Sequence, residues 1–380
     1  MNENNRLKDA EATLLVDGAA AFPELLACIA GARRSILINM FIWRDDVIGN
    51  EMASAILAAA ERGVDVTISI DRYGVVLEKS EECKKSFFHK KQTLFERFKS
   101  TVLYLLYSRK GTPRRARDEE SELYRSLIAH PNVHLDCDRF KADHSKYFIF
   151  DDEILILGGI NVEDKENGRD MQGRVYQDYM IKLCGAHYVK AFFAKMNHGE
   201  NIGEHYWFGI NRKQSPRFFE MEEAYLDLIR SAKCELKITM SYFSPFPSFI
   251  KAIAEAHQRG VAVTIMIPAH SNFQSNSNYK TLKKLMRATD NGITLLLSPK
   301  MVHTKMIVTE STVSFGSTNI TKKAFRQLDE LNFFFDLFEG ELCGALAASM
   351  KENEALCRKV ESEREIRYHR FFALLEGFLV

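Results

Sequence analysis

DHSKYFIFDDEILILGGIN, residues 143–161, reads as strand, turn, strand. His144 and Lys146 are two apart and therefore share a face of the first strand. Asp151 falls near the turn, and Gly158, Gly159 and Asn161 close the second strand. The chain then repeats itself. VHTKMIVTESTVSFGSTN, residues 302–319, places His303, Lys305, Glu310, Gly316, Ser317 and Asn319 in the corresponding positions. The His-to-Asn spacing is 17 in the first copy and 16 in the second. A single H-x-K is unremarkable on a strand, but two copies closed by small residues and an Asn are not a chance pattern.

Outward from these motifs, both halves alternate strand and helix. In the first, Asp17 to Ala32 reads as a loop leading into a helix. A strand follows over Ser35–Trp43, then a helix over Gly49–Arg62 and a strand over Val64–Asp71. In the second, helix is expected over Glu222–Ala232, strand over Glu235–Phe243, helix over Phe249–Arg259 and strand over Val261–Pro268. The R-G-V triplets at Gly63 and Gly260 align at an offset of 197. The expected fold is α/β: two lobes related by a pseudo-twofold axis, 1–200 and 201–380. Each is a mixed, mostly parallel sheet flanked by helices, with the motifs meeting at the lobe interface.

The halves differ between the R-G-V triplet and the motif. Gly63 to His144 is 81 residues, and Gly260 to His303 is 43. The excess is assigned to residues 79–118, with twelve Lys or Arg against four acids in a chain of net charge +1. Within it Leu94, Phe95, Phe98, Val102, Leu105 and Leu106 form one apolar helical face, and Phe87 and Phe88 precede it. A basic amphipathic helix with aromatics suits an anionic bilayer surface, and a helical hairpin covering one lobe is the other reading. The chain ends RFFALLEGFLV, residues 370–380, apolar enough to dock on the core or to enter lipid.

Composition narrows the class. Hydrophobic residues make up 46% and charged residues 27%, ordinary globular values. The seven cysteines are scattered and odd in number, which points to reduced thiols and a cytoplasmic setting. MNENNRLKDAEATLL has no apolar stretch of a secretory signal, and no run is long enough to span a bilayer. A peripheral position on the inner membrane face is expected. No metal-ligand cluster is visible, and no cofactor is expected.

The two motifs resemble the phospholipase D superfamily, whose signature is H-x-K-x4-D followed by G-G or G-S and an Asn. Glu310 stands where that family usually has Asp. The early segment with SILINMFIWRDD, the GGIN run and SYFSP at 241–245 resemble its cardiolipin synthase-like branch. NITKKAF departs from the N-x-D-x-R-S usual there. The resemblance implies a metal-independent phosphodiester reaction. His144 would be the nucleophile forming a phosphohistidine, and His303 the general acid and later base. Lys146, Lys305, Asn161 and Asn319 would hold the phosphate oxygens, with help from the Ser317 hydroxyl. Asp151 and Glu310 would hold the strand turn. The family takes an orienting carboxylate from beyond each Asn, and here Asp178 and Glu330 are the candidates, with Asp329 a rival to Glu330. The implied activity is phosphatidyl transfer from phosphatidylglycerol, as in a cardiolipin synthase. Hydrolysis to phosphatidic acid is the alternative, and a nuclease a more distant one. Phospholipid and an anionic membrane, met through 79–118 and 371–380, are the expected partners rather than nucleic acid.

Overall fold

The structure is a computed structural model of the chain and describes residues 7–77, 85–89, 91–107, 120–169, 173–213 and 219–379. Its first half contributes β1 (Ala12–Val16), α1 (Asp17–Gly31), β2 (Ser35–Met40), α2 (Val47–Glu61), β3 (Asp65–Ile70), α3 (Leu94–Tyr107) and α4 (Glu122–Ala129). β4 (Val133–Asp136), β5 (Tyr147–Phe150), β6 (Ile154–Gly158), β7 (Tyr176–Gln177), β8 (Tyr179–Cys184) and α5 (Ala186–His198) complete it. The second half begins with β9 (Tyr206–Asn211), α6 (Met221–Ser231), β10 (Glu235–Met240), β11 (Phe243–Ser244), α7 (Pro247–Gln258), β12 (Ala262–Pro268), α8 (Ser275–Ala288) and β13 (Thr294–Ser298). It continues through β14 (Met301–Val302), β15 (Lys305–Thr309), β16 (Thr312–Gly316), β17 (Ile320–Thr321), α9 (Lys322–Gln327), β18 (Glu330–Asp336), α10 (Glu341–Ala355), β19 (Arg358–Val360) and α11 (Arg370–Leu379).

The sheets carry the duplication strand for strand. One runs β1-β8-β6-β5-β2-β3-β4 and the other β9-β18-β16-β15-β10-β12-β13, with β19 added at its far edge. The α/β class and the mixed sheets are as expected, but the expectation of mostly parallel pairing is corrected. Only β2–β3, β3–β4, β10–β12 and β12–β13 are parallel within the two large sheets. The reason is local: helix crossovers join only the strands around the R-G-V triplets, whereas each H-x-K stretch is a hairpin, and hairpins pair antiparallel.

The R-G-V repeat has a physical basis. Gly63 and Gly260 have φ of +93° and +90°, a turn out of the helix that a side chain would strain. The arginine before each reaches back to the end of the preceding helix. Arg62 donates to the Ile29 carbonyl at 2.9 Å, and Arg259 to that of Arg230 at 3.0 Å.

Strand alternation divides the core. Phe148 and Phe150 face α1 and α2, while Ile149 faces the other lobe. Leu155, Leu157 and Ile181 join it against Met306, Phe315 and Phe333 of the second sheet. The two sheets thus pack face to face through an apolar seam, closed at its edge by Phe192 of α5 and Leu346 of α10.

Only part of the 79–118 segment behaves as its composition suggests. Phe87 and Phe88 are buried against Trp43 in the first lobe's core, not held for lipid. Their basic neighbours mask an ordinary core contact. α3 does turn apolar residues outward: Leu94 is 84%, Phe95 58% and Phe98 69% exposed. Its inner face is anchored by Glu96, fully buried and paired with Arg72 at 2.6 Å. The side chains of Leu105 and Leu106 lie outside the description. α11 docks on α8 through the Ala373 carbonyl, which accepts from the Ser277 hydroxyl at 3.2 Å, and Glu376, which accepts from the Ser277 N–H at 2.7 Å. Phe371 and Leu374 point outward.

Candidate active site

Each motif histidine is held by the opposite lobe. The His144 N–H donates to the Asp329 carbonyl at 2.8 Å, and its Nδ1 meets Glu330 Oε2 at 3.1 Å. The His303 N–H donates to the Gln177 carbonyl at 2.8 Å, and its Nδ1 meets Asp178 Oδ2 at 2.8 Å. In both copies one residue grips the histidine backbone and the next orients its ring. With Nδ1 occupied, Nε2 is the nitrogen left for chemistry in each ring. Asp329, the rival to Glu330, turns its side chain to the backbone N–H of Lys213 instead.

Around the rings the side chains are buried. Lys146 and Lys305 are fully enclosed, and each donates to the carbonyl of its own histidine. Lys146 Nζ lies 5.3 Å from the Phe41 ring centre, and Phe41 meets His144 edge-on at 4.8 Å. Asn161 is buried, and its Oδ1 has no hydrogen-bond partner among the described residues. Asn319 Oδ1 accepts from the Tyr242 N–H at 3.3 Å. Gly159 is small for a reason: a Cβ there would lie 2.2 Å from Asp178 Oδ2.

Ser317 departs from expectation. Its hydroxyl donates to Glu330 and accepts from the Leu331 N–H at 3.0 Å, so it is committed to the orienting carboxylate rather than to a phosphate oxygen. Asp151 and Glu310 contact strand starts. Asp151 accepts from the N–H groups of Arg33, Arg34 and Ser35 at 2.9, 2.7 and 2.9 Å. Glu310 accepts from those of Lys233, Cys234 and Glu235 at 2.9, 3.2 and 3.2 Å.

Sequence reasoning missed an acidic cluster just past Asn161. Glu166 Oε1 lies 3.2 Å from His303 Nδ1, and buried Arg44 pairs with Glu163 at 2.5 Å. The available signal was the dense charge of VEDKENG, residues 162–168, directly after an apolar strand.

The electrostatics are those of enclosed cations. Burial, then the charges of Lys146, Lys305 and His303, hold His144 well below the usual histidine range. Burial and Lys305 outweigh the pull of Asp178 and bring His303 to about 4. Burial and Lys305 lower Lys146 to about 7, and burial also lowers Lys305. The two orienting acids differ. Burial raises Glu330 to about 8, against its bond from Ser317 and the nearby lysines. Burial also works on Asp178, but Lys305 and His303 overcome it and keep it ionised. Repulsion between these enclosed groups is what a bound anion would relieve.

The family described as "Cardiolipin synthase, PLD-like domain" matches residues 25–172 and 225–350. The chain belongs to that family. It is 24% identical over 381 residues to the major cardiolipin synthase ClsA of Bacillus subtilis, covering 95% of this chain and 72% of that one. It is 24% identical over 273 residues to cardiolipin synthase B of Escherichia coli, covering 67% of this chain and 59% of that one. A phosphatidylserine synthase from Haemophilus influenzae superposes with a TM-score of 0.72 at 13% identity, covering 97% of this chain and 92% of that one, a likeness of fold. The comparisons place the chain among phospholipase D-type phosphatidyltransferase enzymes. Among the described residues no helix is long and apolar enough to cross a membrane.

Proposed function

We propose that the chain transfers a phosphatidyl group from phosphatidylglycerol to an alcohol through a phosphohistidine, as a cardiolipin synthase does. The unequal pair of orienting carboxylates carries the reading. His144 faces Glu330, which burial keeps protonated near neutrality, so its ring stays neutral and nucleophilic. His303 faces ionised Asp178, and a bound phosphate that offsets the Lys305 charge would raise this ring from about 4 and let Asp178 stabilise its imidazolium, which suits a proton donor.

In the first step His144 Nε2 attacks phosphorus. The bond to the headgroup glycerol oxygen breaks, and His303 gives that oxygen its proton. In the second step the acceptor hydroxyl loses its proton to His303. Its oxygen attacks phosphorus, and the phosphorus–nitrogen bond breaks. Lys146 and Lys305 neutralise the equatorial oxygens, and Asn161 and Asn319 supply amide donors. Acid–base help of this kind is worth about a hundred- to ten-thousandfold. Water as acceptor would give phosphatidic acid, so transfer requires the site to favour an alcohol.

The membrane is the natural source of substrate. Outward Leu94, Phe95 and Phe98 on α3, with Phe371 and Leu374 on α11, would meet its surface, in support of a peripheral position on the cytoplasmic face. We take residues 1–200 and 201–380 as the two lobes between which the reaction occurs.

Product analysis tests this. Purified protein is incubated with phosphatidylglycerol in mixed micelles, with and without excess glycerol. Cardiolipin suppressed by glycerol is the expected result. Phosphatidic acid as the sole product makes the enzyme a hydrolase. Cleavage of single-stranded DNA with no lipid product overturns the assignment.

A further inference from the structure

A cleft of about 670 Å³ opens next to the backbone clamp of His144, walled by α3 and by the start of α9. Its floor includes Ala142 and Leu328, the residues flanking the backbone clamp in which Asp329 N–H donates to the Ala142 carbonyl and His144 N–H to that of Asp329, both at 2.8 Å. Tyr73 lines it too, 6.2 Å from Phe41, which touches His144. Two rings, Tyr73 and Phe41, thus lead from the cleft to the His144 ring.

Its charge has one sign. Among the described residues Lys99, Lys213, Lys322 and Lys323 line it, and no carboxylate does. None of the four forms an ion pair among the described residues, whereas Lys182, Lys195, Lys237 and Lys251 elsewhere in the molecule each do. Lys323 is held in place, donating to the Tyr73 hydroxyl at 2.6 Å and lying 4.7 Å from its ring centre. Phe95 and Phe140 supply an apolar wall, both more than half or nearly half exposed. Lysines over apolar walls match a phosphate diester attached to acyl chains. Lys146 and Lys305 do not line this cleft, and both are fully buried.

We infer that this cleft is a second phosphate site, which holds the phosphate of the acceptor lipid while its headgroup hydroxyl reaches the phosphohistidine. Lys322 and Lys323, in the NITKKAF stretch where the sequence departs from its family, are then the residues that make the enzyme select an anionic lipid alcohol over a neutral one. The inference rests on the transfer reading above.

The test uses phosphatidylglycerol in neutral-detergent micelles with ethanol present, so that cardiolipin and phosphatidylethanol report anionic and neutral acceptors from one pool of intermediate. K322Q/K323Q, and separately K99E on the exposed face of α3, should lower the ratio of cardiolipin to phosphatidylethanol by about tenfold, the scale of a lost charge-assisted contact. An unchanged ratio, including equal loss of both products, overturns the site and leaves the lysines as general surface attraction. A second measurement does not depend on turnover. Dihexanoyl phosphatidylglycerol titrated calorimetrically should fill two sites per chain in the unaltered protein and one in K322Q/K323Q. One site in the unaltered protein overturns the inference. Two sites without lipid products would uphold the second phosphate site while the transfer reading failed.

Discussion

Asp178 and His303 come from opposite lobes, yet Oδ2 of one lies 2.8 Å from Nδ1 of the other. Both Asp178 oxygens accept from donors, since Oδ1 takes the Tyr179 N–H at 2.8 Å. An amide at this position would turn its NH2 group on one of them. Glu330 differs, because its Oε1 is buried with no hydrogen-bond partner among the described residues.

The two carboxylates should therefore respond unequally to the same chemistry. Asp178→Asn is expected to lower kcat by about ten-thousandfold, the scale on which a triad carboxylate loses function with its charge. Glu330→Gln keeps an acceptor for His144 and a donor where the carboxylic acid has one, and should cost no more than about a hundredfold. Steady-state kinetics on phosphatidylglycerol decide it. Equal losses would remove the basis for assigning His144 as nucleophile.

Anion binding should draw protons into the site. Lys146 near 7 in the free protein is mostly neutral at pH 8, and a bound anion favours its charged form. Tungstate binding at pH 8 is expected to take up about one proton, measured by calorimetry in buffers of different ionisation enthalpy. Net proton release would contradict the electrostatic account.

Glu310 should stabilise the fold without touching the chemistry. Bonds from its own N–H and from those of Lys233, Glu235 and Cys234 outweigh burial and hold it at about 2. A depressed acid contributes stability above its unfolded value and loses it as pH falls toward the folded one. Glu310→Ala is expected to cost about 1 kcal/mol at pH 7, as a lost cap does. The difference from the unaltered protein should close as pH approaches 2. A constant difference across that range, in denaturant melts, would refute the carboxylate's role.

Point substitutions separate the two parts of the basic segment. Phe87→Ala should destabilise the protein by about 3–5 kcal/mol, because the ring is fully buried against Trp43. Phe95→Ser with Phe98→Ser should leave the melting midpoint unchanged and weaken binding to anionic liposomes. Liposome sedimentation that shows no difference would make α3 a cover rather than a contact with lipid.

The motif residues were legible because chemistry fixes their spacing along the chain. His144 and Lys146, and again His303 and Lys305, need only a strand to share a face. The crossing of the carboxylates was not legible: Asp178 and Glu330 stand out as acids in the right stretch, but which histidine each serves depends on how two sheets pack. Glu166 was invisible for the same reason, since its charge looks solvated until the second lobe covers it. Phe87 and Phe88 were misread because an aromatic pair among lysines has the same sequence at a membrane as in a core. The parallel bias was overstated because helix crossovers leave a strong 3.6-residue period, while the hairpins that dominate the sheets leave short apolar runs without one.

Joining the two lobes in one chain has a consequence for the crossed clamps. Two identical subunits would give both histidines the same partner, and either could be attacked upon. Here the partners have drifted apart, an aspartate for one ring and a glutamate for the other. Under the proposed transfer the order of events would thereby be set by the covalent sequence before any lipid arrives, and a donor that entered the wrong way round would meet the two carboxylates in the wrong order.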